Sequence, residues 1–303
     1  MVRSRPNRFA RQAMAKRIVI VGKRGRLGAA LAREFASGYE VIALGREDLN
    51  LSAPVAGQLA LPEFETMLNC AAATSVDWCE QNPGLAQRLN GEAAGELAEF
   101  CARRRARLVH VSTDYVFDGK SPAPLTEENA PDPVNRYGRS KRLGELAVLT
   151  ASPDHLVVRV SWVFGPDRPS FIDQLIARAQ SEAAVAAVAD KWSAPSYTLD
   201  IAQWLHPILP ERSVNGILHL CNAGRCSWKE WGEVALAAAR RLGIPIRTTE
   251  VASLTLAEMK QFKALRPVHT VMATKKFQTL AGVQPRPWQE AVAAYVDRHY
   301  QTA

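Results

Sequence analysis

The stretch RIVIVGKRGRLG, residues 17–28, decides the fold of this 303-residue chain. After Arg17, four residues form a continuous β-branched run, which is typical of a strand buried on both faces of a parallel sheet. Glycines follow at positions 22, 25 and 28, and an Ala/Leu-rich helical stretch covers residues 29–36. Such a strand–turn–helix lets the backbone approach a pyrophosphate closely and points the N-terminus of the helix at it. The stretch therefore predicts a dinucleotide-binding βα unit.

Further strands are predicted on both sides of helical segments along the chain. They lie at residues 40–44, 67–70, 108–112 and 156–160, with a helical stretch at 83–105. Alternating strands and helices predict an α/β, Rossmann-type, doubly wound parallel sheet. We place the dinucleotide-binding domain at residues 17–164 and a smaller, mixed substrate lobe mainly at 165–303. Within the latter we predict a helix over 171–188, a strand at 216–221 that returns to the sheet, and a capped helix over 227–243.

The positive charge of the chain is concentrated at its N-terminus. The formal net charge is +8, and six basic residues without any acid occur in the first 17 residues. We therefore expect residues 1–16 to be a basic, disordered tail and the rest to be nearly neutral, with no nucleic-acid partner. The alternatives for the tail are a contact with nucleic acid or membrane and a targeting peptide. No apolar run approaches the roughly 20 residues that span a bilayer, so we expect no membrane segment.

The type of dinucleotide is predicted from the end of the second strand. NAD sites usually place an acid there to bind the ribose hydroxyls. Here Arg46 follows that strand and could pair with a 2′-phosphate, so NADPH is favoured and NADH is the alternative. Glu47 and Asp48 come slightly late for the usual acid. The predicted cofactor-binding residues of the glycine loop and of this position are Gly22, Gly25, Arg26, Leu27, Gly28 and Arg46.

A candidate catalytic pair lies in Tyr137-Gly-Arg-Ser-Lys141. In a helix, residues four apart share one face. A lysine ammonium beside a phenol favours the phenolate and brings the tyrosine closer to working pH as a general acid. The strand at 108–112 runs into Ser112-Thr113, at the sheet edge where parallel sheets bind ligands. A hydroxyl there could bond both the substrate oxygen and the tyrosine, and of the two we prefer Thr113.

Several ordered blocks over residues 17–300 resemble the extended short-chain dehydrogenase/reductases, and among them the dTDP-4-dehydrorhamnose reductases. Besides the glycine loop, the blocks are NCAAATSVDWCE (69–80), STDYVFDG (112–119), NRYGRSKRLGE (135–145), RVSWVFG (159–165), ADKWSAPSYTLDIA (189–202) and RPVHTVMATKKF (266–277). The resemblance implies hydride transfer from NAD(P)H to the C4 ketone of a nucleotide-linked 4-keto-6-deoxy sugar, as in the reduction of dTDP-4-dehydro-L-rhamnose to dTDP-L-rhamnose.

The resemblance also implies roles for individual residues. Tyr137 would protonate the forming alkoxide. Lys141 would lower the pKa of Tyr137 and bind the nicotinamide ribose. Thr113 would tune Tyr137 and contact the sugar. Asn90 would lie near the cofactor. The residues implied to line the cofactor are Ala71, Ala72 and Thr74, and those implied to bind substrate are Thr113, Asp114, Tyr115 and Trp162.

The chain departs from the family pattern at three places. These departures bear on which sugar and which nucleoside the substrate contains more than on the reaction itself. The family's G-x-P-T is Ser193-Ala194-Pro195-Ser196 here, its R-P-x-N-S is Arg266-Pro267-Val268-His269-Thr270, and Asn50 replaces a usual aspartate. Two other functions stay open. One is a catalytically silent regulator similar to the beta subunit of methionine adenosyltransferase, and the other is a sugar-nucleotide dehydratase or epimerase. Tyr115 stands where the dehydratases have glutamate.

The remaining expectations concern location, assembly and single side chains. The five cysteines are scattered without a zinc-type pattern, so we predict no metal site and a reduced, cytoplasmic protein. A homodimer is left open. We expect His110 and His219 to be satisfied core histidines, and Glu145 to pair with Lys141 at i,i+4. The acids Asp77 and Glu80 are expected to be solvated, and Trp192, Trp228, Trp231 and Trp288 to pack in the core.

Overall fold

The computed structural model describes residues 16–300, and the predicted basic tail at 1–16 lies outside them except for Lys16. The strand bounds are β1 Arg17–Val21, β2 Glu40–Leu44, β3 Thr66–Asn69, β4 Arg107–Thr113, β5 Leu156–Val160, β6 Val163–Phe164, β7 Val185–Val188, β8 Trp192–Ser193, β9 Ser196–Tyr197, β10 Gly216–His219, β11 Cys226–Ser227 and β12 Val251–Leu254. Six of them form one parallel sheet in the order β10-β5-β4-β3-β1-β2. This sheet confirms the predicted Rossmann-type α/β fold.

Helices cover both faces of the six-stranded sheet. The bounds in this part are α1 Arg26–Phe35, α2 Val76–Gln81, α3 Pro83–Gln87, a π-helical turn Arg88–Glu92, α4 Ala93–Arg103, a 3₁₀ turn Asp114–Val116, α5 Arg136–Ala151 and α7 Thr198–Ile208. One core packs α1 and α7 against the sheet, and a second packs α4 and α5 against its other face. Burial on both faces explains why β1 reads as an uninterrupted apolar run.

Most of the remaining helices build a separate core beside the carboxyl ends of the strands, whereas the helix that carries Phe277 packs this ring beside Trp204 in the first core. Their bounds are α6 Phe171–Ser181, α8 Trp228–Arg241, a 3₁₀ turn Leu256–Glu258, α9 Lys275–Ala281 and α10 Trp288–His299. Helices α6, α8 and α10 pack on one another around Phe164, Trp231 and Tyr295. Helix α8 begins with the predicted capping box, in which Ser227 and Glu230 bond each other's backbone N–H groups. The predicted domain boundary at residue 164 stays a prediction.

The predicted helix over residues 171–188 is wrong in its last part. Helix α6 ends at Ser181, and β7 follows and pairs in parallel with β12. The sequence EAAVAAV has high helix propensity, but pairing with a segment over 60 residues away overrides it. No helix within residues 16–300 is long and apolar enough to cross a membrane. The same part of the chain holds no cluster of three or more His, Cys, Asp or Glu side chains suited to a metal.

Candidate functional site

The turn between β1 and α1 has the shape of a phosphate cradle. Gly22 has φ +97°, and a Cβ there would lie 2.8 Å from the amide nitrogen of Ala71. A Cβ on Gly28 would collide with the carbonyl oxygen of Gly22. Gly25 caps α1 without any side-chain hydrogen bond, so the first amides of the helix stay available. A dinucleotide pyrophosphate fits this arrangement of close backbone and free N–H groups.

Two residues of the glycine loop turn their side chains away from this cradle. The Arg26 guanidinium donates to the carbonyl oxygens of Val163 (2.9 Å), Arg168 (2.9 Å) and Pro169 (2.6 Å). Leu27 is buried in the core under the sheet. Their predicted part in cofactor binding is therefore limited to backbone groups, and the Arg26 side chain instead fastens the segment that leads into α6.

The cations near the predicted 2′-phosphate position differ in their partners. Lys23 Nζ lies 2.7 Å from Asp48 and 3.2 Å from Glu47, and Arg24 lies 3.0 Å from Glu47. Arg46 is exposed and makes no side-chain hydrogen bond or ion pair with any residue between 16 and 300. Among these cations, Arg46 is thus the one available for a 2′-phosphate.

We expect Arg46→Ala to raise the KM for NADPH about tenfold, because one charge-assisted hydrogen bond is lost, and to leave the KM for NADH unchanged. Steady-state kinetics with both cofactors measure this. Arg241→Ala, at the exposed end of α8, is the matched control and should change neither value. Equal losses for NADPH and NADH would refute the assignment of Arg46.

The segment after β3 forms a wall beside the glycine loop, since Ala71 lies close to Gly22. It contains the predicted residues Ala71, Ala72 and Thr74. Asn90, in the π-helical turn, accepts the Ala73 amide at 2.8 Å and donates to the Ala73 carbonyl at 3.0 Å. The same Asn90 amide donates to Ser140 of α5 at 2.9 Å. Asn90 therefore ties this wall to the helix that carries the candidate catalytic pair.

Helix α5 places Tyr137 and Lys141 on one buried face. The helix begins after Asn135, whose side chain accepts the Gly138 amide at 2.8 Å. Tyr137 is 8% and Lys141 1% exposed, so both side chains point toward the sheet rather than into solvent. The predicted one-turn spacing is present, and it lies beside the carboxyl end of β4.

Lys141 is held by β4 and by a histidine. Its Nζ donates to the Val111 carbonyl at 2.7 Å and lies 3.0 Å from His110 Nε2. His110 Nδ1 lies 3.1 Å from the Asn69 amide nitrogen at the end of β3. Burial lowers the pKa of Lys141 to about 8, with Glu145 opposing the shift. His110 is thus more than the core histidine that the sequence predicts, because it touches the candidate lysine.

Tyr137 lies among aromatic and hydroxyl groups. Its ring meets that of Tyr115 edge-on, with 5.6 Å between the centroids. Burial raises the pKa of Tyr137, and the Thr113 hydroxyl opposes that rise. Thr113 Oγ1 also accepts the Tyr115 amide at 3.2 Å and donates to Asp114 at 3.1 Å. At neutral pH the phenol therefore keeps its proton and can donate it.

The predicted substrate residue Asp114 is engaged inside the protein. It is 2% exposed, and its second oxygen accepts the hydroxyls of Thr270 at 2.5 Å and Ser193 at 3.1 Å. Both partners stand at positions where the chain departs from the family pattern. The carboxylate therefore accepts hydrogen bonds from three hydroxyls, including that of Thr113. It is buried beside the site and holds these side chains in place instead of pointing into the site.

Lys191 lies against Tyr115, the ring that Tyr137 contacts, and near Trp162. The Trp162 ring stacks on Trp231 at 5.6 Å, and Lys191 Nζ lies 4.9 Å from the centre of the Tyr115 ring. Lys191 is fully buried. Sequence reasoning missed Lys191, because a single lysine in a loop block carries no local pattern that predicts burial.

Asp77 corrects another expectation. The sequence predicts a solvated acid here, but the Asp77 carboxylate accepts hydrogen bonds from two Arg266 guanidinium nitrogens, at 3.0 and 2.8 Å. It also accepts hydrogen bonds from the backbone amides of Lys263 (2.8 Å) and Ala264 (3.0 Å). The Arg266 hydrogen bond lowers the pKa of Asp77 to about 2. A salt bridge between α2 and a residue almost 190 positions away thus holds segment 263–266 beside Tyr115.

Comparisons with known proteins agree with this geometry. The family model described as RmlD substrate binding domain matches residues 16–301. The spore coat polysaccharide biosynthesis protein SpsK of Bacillus subtilis is 34% identical over 283 residues, covering 92% of this chain and 96% of that protein. A dTDP-4-dehydrorhamnose reductase of Mycolicibacterium smegmatis is 36% identical over 285 residues, covering 92% and 84%.

A solved structure extends the likeness to three dimensions. The dTDP-4-dehydrorhamnose reductase from Bacillus anthracis, crystallised in complex with NADP, superposes with a TM-score of 0.88 at 26% identity. The match covers 94% of this chain and 100% of that one. The common structure therefore includes both the sheet and the adjoining helical core.

Proposed function

The chain belongs to the RmlD substrate-binding domain family, and from that premise we propose that it is an NAD(P)H-dependent oxidoreductase acting on a nucleotide-linked 4-keto-6-deoxy sugar. The proposed reaction is reduction of the C4 ketone, with dTDP-4-dehydro-L-rhamnose giving dTDP-L-rhamnose. The observation that carries the proposal is the buried Tyr137–Lys141 pair beside Thr113 at the carboxyl end of β4.

NADPH is the proposed cofactor, with NADH as the alternative. The backbone of Gly22, Gly25 and Gly28 would hold the pyrophosphate, and Arg46 would hold the 2′-phosphate. When bound, the cofactor supplies the hydride that is added to the ketone carbon. The wall at residues 71–74, fixed by Asn90, would position the dinucleotide.

Tyr137 is the proposed proton donor to the ketone oxygen. Burial keeps its phenol protonated, so a proton is present at neutral pH. As negative charge develops on the sugar oxygen, the O–H proton moves to it and leaves a phenolate. The ammonium of Lys141, one helical turn away, stabilises that phenolate and so lowers the cost of the transfer. The Thr113 hydroxyl, which donates to Asp114 in this structure, would turn its one proton to the same sugar oxygen when substrate is bound.

Lys141 has a second proposed role as a ligand of the nicotinamide ribose. Its contacts with Val111 and His110 fix the amine on the sheet side of α5 and leave donor capacity for a ribose hydroxyl. This role predicts that cofactor affinity depends on the charge of Lys141.

We expect NADPH affinity to fall about three- to tenfold as the pH rises through about 8. The ammonium of Lys141 exists below its pKa of about 8 and is lost above it, and a charged donor binds an oxygen more strongly than a neutral amine. Fluorescence titration with NADPH between pH 6.5 and 9.5 measures this. Lys141→Arg stays charged throughout that range and should give a flat profile. The same decline in this variant would contradict the assignment.

The proposed function is tested by a screen of dTDP-, GDP- and UDP-linked 4-keto sugars with NADPH. We expect NADPH oxidation with dTDP-4-dehydro-L-rhamnose and a 4-hydroxy product. Oxidation only with GDP or UDP sugars would keep the reductase and change its substrate. No oxidation with any of them would overturn the proposal in favour of the regulatory interpretation. Cytoplasmic location and homodimer formation stay predictions.

A further inference from the structure

Lys191 is a buried ammonium with few partners. It lies in the loop between β7 and β8, is 0% exposed, and donates to the Pro267 carbonyl at 2.6 Å. It makes no other hydrogen bond or ion pair with the described residues. An ammonium has three donors, so two remain for another partner. Buried charged groups are normally fully paired, because desolvation of an unpaired charge is costly.

The rings around the Lys191 ammonium are Tyr115 and Trp162, two of the residues predicted to bind substrate. Its Nζ lies 4.9 Å from the centre of the Tyr115 ring and 5.8 Å from that of Trp162. Burial lowers the pKa of Lys191 to about 8, Asp114 raises it and Arg266 lowers it further. The Asp114 oxygens are already bound by hydroxyls, and the Arg266 guanidinium is bound by Asp77. Asp114 therefore accepts no hydrogen bond from Lys191, and Arg266, which is itself a cation, cannot accept one.

Lys191 is not needed to hold the segment that it contacts. The backbone bonds from Trp192 to Val268 (2.7 Å) and from His269 to Gly119 (2.9 Å) already fix the strand-like segment around Pro267. The Asp77–Arg266 pair fixes its other end. A purely structural role would therefore bury a charge for one redundant hydrogen bond and for its contacts with the Tyr115 and Trp162 rings.

Trp162 supplies an independent sign of a ligand at the same place. It has φ +41°, one of two positive values among the non-glycine residues that the structure describes. Its indole Nε1 is buried and has no hydrogen-bond partner there. Such backbone strain is characteristic of functional sites, and a buried unpaired N–H calls for an acceptor. Trp162 thus carries an unpaired donor, and the Lys191 ammonium with its spare donors lies 5.8 Å from the centre of the same ring.

We propose that Lys191 is a sugar-binding residue, whose spare N–H donors bind hydroxyl or keto oxygens of the hexose. This inference rests on the proposed function and deepens it. Trp162 is only partly buried, and the part of its ring that Trp231 does not cover offers an apolar surface for the C–H groups of a pyranose. The nearby Asp114 carboxylate disfavours a dianionic phosphate, so the site takes the sugar and not the diphosphate.

The test is Lys191→Met, which keeps the length of the side chain and removes the donors. Calorimetric titration should show about 10- to 100-fold weaker binding of dTDP-L-rhamnose, because hydrogen bonds from a charged donor are lost. The affinities for dTDP and for NADPH should stay within about twofold. Lys229→Met removes a partly exposed lysine of α8, which pairs with Glu233 at the surface, and is the control. Urea unfolding should show Lys191→Met to be at least as stable as the wild type, since a poorly paired buried charge is removed.

The outcomes separate this inference from the proposed function. Unchanged dTDP-L-rhamnose affinity, or a clear loss of stability, would overturn the role of Lys191 and leave the reductase proposal standing. Equal weakening of dTDP and dTDP-L-rhamnose would assign Lys191 to the diphosphate and also overturn it. If the wild type binds only UDP- or GDP-sugars and Lys191→Met weakens those, the proposed substrate is wrong and the inference holds. Binding of no sugar nucleotide rejects both.

Discussion

Replacement of Tyr137 by phenylalanine is expected to lower kcat by about 10²- to 10⁴-fold, the usual contribution of a positioned general acid. The variant keeps the ring, and so it keeps the edge-on contact with Tyr115. It loses only the hydroxyl whose proton would pass to the sugar oxygen. Lys141 and the glycine loop are untouched, so NADPH affinity should stay within about twofold of the wild-type value.

The measurement is single-turnover NADPH oxidation with the accepted keto sugar, together with fluorescence titration of NADPH. Tyr39→Phe, which removes a half-buried hydroxyl remote from the site, is the matched control and should turn over like the wild type. Turnover of Tyr137→Phe near the wild-type rate would remove Tyr137 from the mechanism. A large loss of NADPH affinity would instead indicate a structural defect.

The second large effect concerns the buried pair that joins α5 to β5. Arg159 donates to both oxygens of Glu145, at 2.7 and 2.8 Å, and both side chains are 0% exposed. Burial would raise the pKa of Glu145, but the bonds from Arg159 keep it below its usual value. Arg159→Met leaves that carboxylate buried with only Arg142 as an ionic partner, so we expect a loss of about 3–5 kcal/mol in the free energy of unfolding.

Urea unfolding measures this loss. The matched control is Arg178→Met, which breaks the exposed Arg178–Glu182 pair of similar length and should cost less than about 1 kcal/mol. Similar losses in both variants would show that burial does not increase the contribution of the Glu145–Arg159 pair to the free energy of unfolding. The pair also shows that the expected Lys141–Glu145 salt bridge is wrong: Glu145 turns toward β5 and leaves the candidate lysine to His110.

The sequence alone predicted the features that depend on local pattern. The β-branched run at residues 18–21 predicts a strand buried on both faces, and the glycines after it predict the cradle. The four-residue spacing of Tyr137 and Lys141 predicts a shared helix face, and the capping box at Ser227 predicts the start of α8. In each case the physical cause acts within about one turn or one strand, so it can be read from neighbouring residues.

The tertiary structure alone decided which distant groups meet. The Asp114 carboxylate is bound by hydroxyls about 80 and 156 positions later, and Asp77 is bound by Arg266. Residues 182–188 leave the helical conformation that their composition favours because a strand at 251–254 pairs with them. Lys191 is buried by rings from two other segments. Burial, charge pairing and strand pairing across such separations depend on chain topology, and no local periodicity encodes them.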